Sequence, residues 1–294
     1  MAQDPSGLSS EPVGLIGLGL MGAALAHRLL GAGYNVLGYD IDPGKALLVP
    51  DIEVAGSIDD ICLRCSRVVI AVGTTRQVEA VIAELETTAH PMLVLCTTTV
   101  YPRRIAFAAA RAARYGITLI EAHISGTSLQ VESGKGIGLV AGPREAVEQA
   151  RPLLDAICPQ RHALGSLGDA AKASLALNLV QQLNNAAIAE GLVFAERLGL
   201  APADFLEALR GTTAGSQVTA VKAEKMVRRE YSPQSPAAQA LKDAQFMIET
   251  AHRLGQNLPM MEVNAALLAA AIARRGGQLD SAAVIEAIRA SRPK

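Results

Sequence analysis

The chain has 294 residues, half of them hydrophobic, with 3% aromatic residues and a formal net charge of -1. That length suits two domains rather than one. Arg and Lys are dispersed among acids and Trp is absent, which excludes the basic stripe and stacking surface of a nucleic-acid partner. No uninterrupted apolar run has membrane-spanning length, and the opening residues, with Asp4, Pro5 and Ser6, lack a signal-peptide core. A cytoplasmic protein without membrane partners is therefore expected. Cys62, Cys65, Cys96 and Cys158 include one C-x-x-C but no second Cys or His pair at matching spacing, so free thiols and no metal site are expected.

The apolar run Val13 to Ile16 leads into Gly17-Leu18-Gly19-Leu20-Met21-Gly22 and then an amphipathic stretch from Ala23 to Leu30. This reads as a strand turning through a glycine loop into a helix. The first glycine permits the turn, the second lets backbone N–H groups approach a diphosphate, and the third lets helix and strand pack closely. Donors and dipole at the helix N-terminus then hold the anion. A second strand, Asn35 to Tyr39, ends in Asp40, about 20 residues beyond the loop. A carboxylate there accepts hydrogen bonds from the adenosine ribose and repels a 2′-phosphate. No Arg follows until Arg64, which favours NAD over NADP. The alternative is that Asp40 only caps the turn before Asp42-Pro43-Gly44.

Further strands are expected at Val68–Val72, Met92–Cys96, Ile117–Glu121 and Gly136–Ala141. Helices are expected over Gln77–Leu85 and Arg103–Tyr115, with another opened by Pro143. The alternation predicts an α/β Rossmann domain over residues 12–167, with a parallel sheet covered on both faces. Ligands of such sheets lie outside the carboxyl ends of the strands. Val72 and Gly73 are accordingly expected against the dinucleotide, and Thr98, within Thr97-Thr98-Thr99, at its ribose or nicotinamide. Beyond Glu121 runs Ala122-His123-Ile124-Ser125-Gly126-Thr127-Ser128. Ser125, Gly126 and Thr127 with the turn's N–H groups suit a carboxylate, or else the loop's hydroxyls satisfy its own backbone. His123 is a candidate proton donor or a structural histidine.

After Gly168 an Ala- and Leu-rich stretch to about Leu198 reads as one long interdomain helix. The remainder is helical, with stops at 199–202, 211–216, 232–236 and 276–277. Residues 168–294 are thus an expected all-α domain whose apolar surface suits a homodimer or homotetramer. Lys172 falls about one turn into the long helix. Desolvation at a domain junction would favour its neutral amine and permit proton exchange near neutral pH, or it snorkels over alanine-rich surface. Lys242 and Asp243, as helix neighbours, are expected to diverge and face solvent.

Taken in order, these pieces resemble the beta-hydroxyacid dehydrogenase family, which includes 3-hydroxyisobutyrate dehydrogenases and tartronate semialdehyde reductases. Gly17 to Gly22 matches its G-L-G-x-M-G, Glu121 to Thr127 its D-A-P-V-S-G-G, Gly168 to Lys172 its G-x-x-x-K, and Leu241-Lys242-Asp243 its late K-D pair. The resemblance covers nearly the whole chain. It implies that Lys172 is the general acid/base, that Ser125 and Gly126 bind the substrate carboxylate, that Lys242 lies near the nicotinamide, and that Asp40 marks NAD. Four departures stand out. Leu175 and Ala176 occupy the family's two asparagine positions, and Asn178, six residues after the lysine, points away from its face. Ser235 replaces an aromatic, Thr127 a glycine and His123 a proline. A small hydroxyacid or its semialdehyde is implied as substrate, but one larger than hydroxyisobutyrate or with a head group that Thr127, Ser128 or His123 can bond. Two other readings stand beside this one. An imine reductase-like enzyme has Lys172 and Asp40 against it; a catalytically inactive dinucleotide-binding sensor is motivated by Leu175 and Ala176.

Overall fold

The computed structural model describes residues 11–88 and 90–291, so Asp4, Pro5 and Ser6 lie outside the described residues. The chain forms two compact units that divide between Ser174 and Leu175.

The first unit contains β1 (Val13–Ile16), β2 (Val36–Tyr39), β3 (Glu53–Val54), β4 (Arg67–Ile70), β5 (Met92–Cys96), β6 (Ile117–Ser125), β7 (Ile137–Ala141) and β8 (Gln160–Ala163). They form an eight-stranded sheet in the order β3-β2-β1-β4-β5-β6-β7-β8. Every neighbouring pair is parallel except β6 and β7. Helices α1 (Leu20–Gly31), α2 (Ile58–Arg64), α3 (Thr75–Leu85), α4 (Pro102–Ala112), α5 (Ser128–Glu132), α6 (Arg144–Gln149) and α7 (Arg151–Ile157) connect them. Strand side chains alternate between faces, so two cores result. Leu15, Val69, Leu95 and Ile120 pack with Leu25 and Leu29 of α1 and Leu154 of α7. Ile16, Ile70, Val94 and Leu119 pack with Ile61 of α2, Ile82 of α3 and Ile105 of α4.

Two features depart from the expectation of a uniformly parallel sheet. The β6–β7 connection carries only the short α5 between its ends, too little for a crossover, and the chain returns antiparallel. β6 also runs four residues past Glu121, pairing Glu121 with Ala141, His123 with Leu139 and Ser125 with Ile137. Glu121 and His123 interrupt the apolar pattern, but a mutual hydrogen bond lets both be buried within the strand. β8, polar and largely exposed, carries no hydrophobic signal.

Helix α8 (Asp169–Arg197) opens in the first unit and continues in the second, so the division falls inside the helix rather than before it. The second unit continues with α9 (Pro202–Arg210), a π-helical turn at Thr219–Ala223, α10 (Glu224–Arg228), α11 (Ala237–Arg253), α12 (Pro259–Arg275) and α13 (Val284–Ala290). A break between α11 and α12 has no counterpart among the expected stops; Gly255 adopts a left-handed φ of 77° there and Pro259 opens α12. Ile188, Leu192, Leu206, Met226, Leu268 and Ile285 form this unit's core.

All four cysteines are free and buried, and desolvation pushes the thiols of Cys65, Cys96 and Cys158 up to about 12. Among the described residues no group of three His, Cys, Asp or Glu side chains could hold a metal, and no helix is long and apolar enough to cross a membrane.

Candidate active site

The glycine loop divides its labour. Gly17 has a φ of 100°, and a Cβ on it would lie 2.5 Å from the Ala71 carbonyl oxygen; a Cβ on Gly22 would lie 1.9 Å from the Gly17 carbonyl oxygen. Packing inside the protein therefore requires both glycines. A Cβ on Gly19 would meet nothing within 4 Å, so the space before it is open to a ligand. Gly19 is also the N-cap of α1, whose first turn carries neither an acid nor a capping side chain. Its N–H groups and dipole face that space, as a diphosphate requires.

Asp40 follows β2. One carboxylate oxygen accepts from the backbone N–H of Leu18 at 2.7 Å and the other from Asp42 N–H at 2.9 Å. The acid thus caps its own turn and tethers the glycine loop to the end of β2, leaving further lone pairs for hydroxyl donors. A cavity of about 320 Å³ adjoins it, with Leu18, Asp40 and Asp42 in its wall and no basic side chain. Open Gly19, close-packed Gly22 and Asp40 at the strand end fit a nicotinamide dinucleotide.

Val72, Gly73 and Thr98 lie beyond the next strand ends. Thr97 Oγ1 donates to the Ile70 carbonyl at 2.9 Å and Thr98 Oγ1 to the Val72 carbonyl at 2.8 Å. These hydroxyls bind the segment after β5 to the segment after β4, so Thr98 offers a ligand only its oxygen lone pairs. Gly73 N–H donates to Gln77 Oε1 at 3.1 Å.

Two residues of the substrate segment are engaged within the protein. His123 is buried, with Nε2 3.0 Å from Glu121 Oε1, and does not line an open loop. Thr127 is also buried and caps α5 in a reciprocal box: its Oγ1 accepts from Gln130 N–H, and its own N–H donates to Gln130 Oε1 at 2.9 Å. Its hydroxyl serves the backbone, the alternative left open by the sequence. Ser125 closes β6 half-buried, and Gly126 follows with a φ of 145°.

Lys172 stands in the first turn of α8. Its side chain is 66% exposed and its Nζ lies 2.8 Å from Asp169 Oδ1. The Lys172 hydrogen bond, aided by Ser166 N–H, holds the Asp169 carboxyl below its ordinary range. The desolvation expected at Lys172 is therefore not built into the helix itself. What anchors the helix start is Glu121, a residue not singled out from sequence. Gly168 N–H donates to its Oε2 at 2.5 Å and Ala171 N–H to its Oε1 at 3.0 Å. The available signal was its place as the acid that opens the E-A-H-I-S-G-T segment.

Lys242 and Asp243 do not diverge: Nζ lies 3.6 Å from Asp243 Oδ1, and Gln239 Nε2 donates to the same carboxylate at 3.0 Å. Burial raises the Asp243 pKa in spite of both partners. Ser235 donates its N–H to Asp280.

Residues 12–165 match the family model of the NAD binding domain of 6-phosphogluconate dehydrogenase, and residues 167–288 match that of NAD-binding of NADP-dependent 3-hydroxyisobutyrate dehydrogenase. L-threonate dehydrogenase of Cupriavidus necator is 28% identical, the alignment covering 94% of this chain and 95% of that protein. The 3-hydroxyisobutyrate dehydrogenase of Mycobacterium tuberculosis, in a structure with L-serine, shares the fold with a TM-score of 0.83 at 24% identity, covering 96% of this chain and 100% of that one. An imine reductase from Pseudomonas sp. is more distant, with a TM-score of 0.66 at 21% identity over 95% of this chain and 100% of that one.

Proposed function

Because the chain belongs to the beta-hydroxyacid dehydrogenase family, oxidoreductases with NAD(P)-binding domains, we propose that it is an NAD-dependent dehydrogenase of a small polyhydroxylated acid, or the reductase of the matching semialdehyde, with Lys172 as general acid/base. The observation that carries this reading is the assembly along one sheet of the glycine cradle after β1, Ser125-Gly126 after β6, and a lysine whose helix is tied to β6. Bound nicotinamide supplies the hydride acceptor or donor. Gly17, Leu18, Gly19, Leu20, Met21 and Gly22 hold the diphosphate, Asp40 the ribose, and Val72, Gly73 and Thr98 the nicotinamide half.

In the oxidative direction the Lys172 amine takes the substrate hydroxyl proton as the carbinol carbon loses hydride; in reduction it returns that proton to the new alkoxide. Ser125 and the N–H groups near Gly126 bind the carboxylate. His123 and Thr127 are committed within the protein, so Ser128 is the remaining hydroxyl for a polar head group. Loss of amides at Leu175 and Ala176 favours an acid that differs from hydroxyisobutyrate, and threonate, named for the Cupriavidus relative, has the required hydroxyls. Two acids and no base beside the cavity at Asp40 oppose a 2′-phosphate, which supports NAD over NADP. Residues 12–167 act as the NAD-binding domain and 168–294 as the helical substrate and dimerisation domain of a cytoplasmic homo-oligomer. Exposed Phe194, Met260 and Val263 fit such an interface.

A screen of nicotinamide absorbance tests the reading, with NAD and NADP supplied separately against short-chain hydroxyacids, sugar acids and sulfonates. Turnover of sugar acids with NAD is expected. Silence across the panel with NAD bound would overturn it, leaving an inactive sensor or an imine substrate.

A further inference from the structure

Glu121 has no exposed surface, and among the described residues its side-chain partner is His123 rather than a Lys or Arg. Three donors surround its carboxylate: Gly168 N–H, Ala171 N–H and His123 Nε2. A carboxylate is acceptor-only, so this donor set matches it. A helix leaves its first four N–H groups without intrahelical partners. In α8 a side chain from the neighbouring strand takes two N–H groups at this start, Gly168 just before the helix and Ala171 within it. Asp169 cannot cap the same groups, because its Oδ2 accepts from Ser166 and its Oδ1 holds Lys172.

The position of this clamp gives it consequence. Ala171 directly precedes Lys172. Glu121, His123 and Ser125 occupy alternate positions of β6, and alternate strand positions share a face. At about 3.3 Å per residue, β6 separates the helix anchor from Ser125 by roughly 13 Å of rigid backbone. His123 meets Glu121 through Nε2, while its Nδ1 is buried without a hydrogen-bond partner. Among the described residues the side-chain hydrogen bond of this imidazole is therefore the one to Glu121.

The geometry points to Glu121 and His123 as positioning residues. Glu121 clamps the start of α8 to β6 and thereby sets the distance between the Lys172 amine and the carboxylate site at Ser125 and Gly126, and His123 steadies the clamp. The inference rests on Lys172 being the proton-transfer group.

The test compares full-length Glu121→Gln, Glu121→Asp, His123→Asn and Lys172→Ala with wild type. L-threonate and NAD serve as the assay pair, and amide hydrogen exchange is followed at residues 168–172. In Glu121→Gln, exchange there accelerates, and kcat falls about tenfold to a hundredfold while KM for the acid and the affinity for NAD stay near wild type. Glu121→Asp, which keeps the charge but lacks one methylene, recovers part of kcat, and His123→Asn shows a smaller loss in the same direction. Wild-type exchange and kcat in Glu121→Gln would overturn the inference, as would lower thermal stability with unchanged kcat. If Glu121→Gln does not fold, His123→Asn decides by the same two readouts. Retained turnover in Lys172→Ala would instead remove the lysine reading. If L-threonate is not turned over at all, exchange alone judges the clamp.

Discussion

Each unit buries a carboxylate that binds backbone N–H groups, Glu121 in the sheet unit and Asp280 in the helical unit, and the two are balanced differently. Asp280 pairs with buried Lys222 at 2.7 Å and also accepts from the N–H groups of Gln234, Ser235 and Ala282. Burial works against its ionised form, but Lys222 and the N–H groups of Ala282 and Gln234 still hold its pKa below the ordinary range. Glu121 is met by two N–H groups and an imidazole. A full ion pair in a core holds loops together strongly but adds stability only if every contact survives. A carboxylate satisfied by dipolar donors keeps its whole charge, but the directional N–H groups that stabilise it also fix the backbone they belong to. One acid is a staple for the helical fold; the other ties the start of α8 to β6, next to the lysine proposed above for proton transfer.

The sharpest break of this comparison is Asp280→Ala, which strands the Lys222 ammonium in the core. Urea unfolding should show a loss of about 3–5 kcal/mol; a loss below about 1 kcal/mol would make Asp280 no more than a surface-like contact. Acid should next distinguish the units. Against the cost of burial, hydrogen bonds from Tyr231, Arg275 and Arg289 draw Glu286 from 4.5 to about 2. A depressed carboxyl contributes stability above its unfolded value and loses it as pH falls through its folded value, here a contribution of roughly 3 kcal/mol. Stability should therefore decline between pH 4.5 and 2, and Glu286→Gln should flatten that decline; parallel curves for the two proteins would refute the assignment.

Within the sheet unit, Gly22→Ala should cost about 1–3 kcal/mol and weaken NAD binding. Gly19→Ala should weaken NAD binding with a stability change within about 0.5 kcal/mol, since its Cβ meets open space. Equal stability losses in calorimetry would contradict this division between packing and ligand approach. Asp40→Ala gives up two backbone hydrogen bonds, from the N–H groups of Leu18 and Asp42, at a cost of about 1–3 kcal/mol, and its smaller functional effect should be to relax discrimination against NADP by about tenfold, or roughly 1.4 kcal/mol. An unchanged ratio of kcat/KM for the two dinucleotides would leave Asp40 a turn residue.

Legibility followed the same division between backbone and side chain. Gly17 and Gly22 stand where no other residue fits, so the glycine loop could be read directly, and the unbroken apolar run of β5 showed its limits at Met92 and Cys96. The long helix was visible because Gly168 and Gly199, both left-handed, punctuate it. The end of β6 was hidden because burial of Glu121 and His123 depends on each other and on Gly168 and Ala171, distant in sequence. Thr127 could be read as a ligand for substrate or as a hydroxyl serving its own backbone; in the fold it caps α5 together with Gln130. The Lys222–Asp280 pair left no local trace, since its members are 58 residues apart.

The decisive measurement is hydride transfer from L-threonate and related sugar acids to NAD by wild type and Lys172→Ala, with NAD affinity measured on both proteins. Turnover by wild type, a fall of about a thousandfold in kcat for the variant and equal NAD affinity are the predicted results. Turnover by Lys172→Ala at the wild-type rate would contradict the assignment of proton transfer to this lysine.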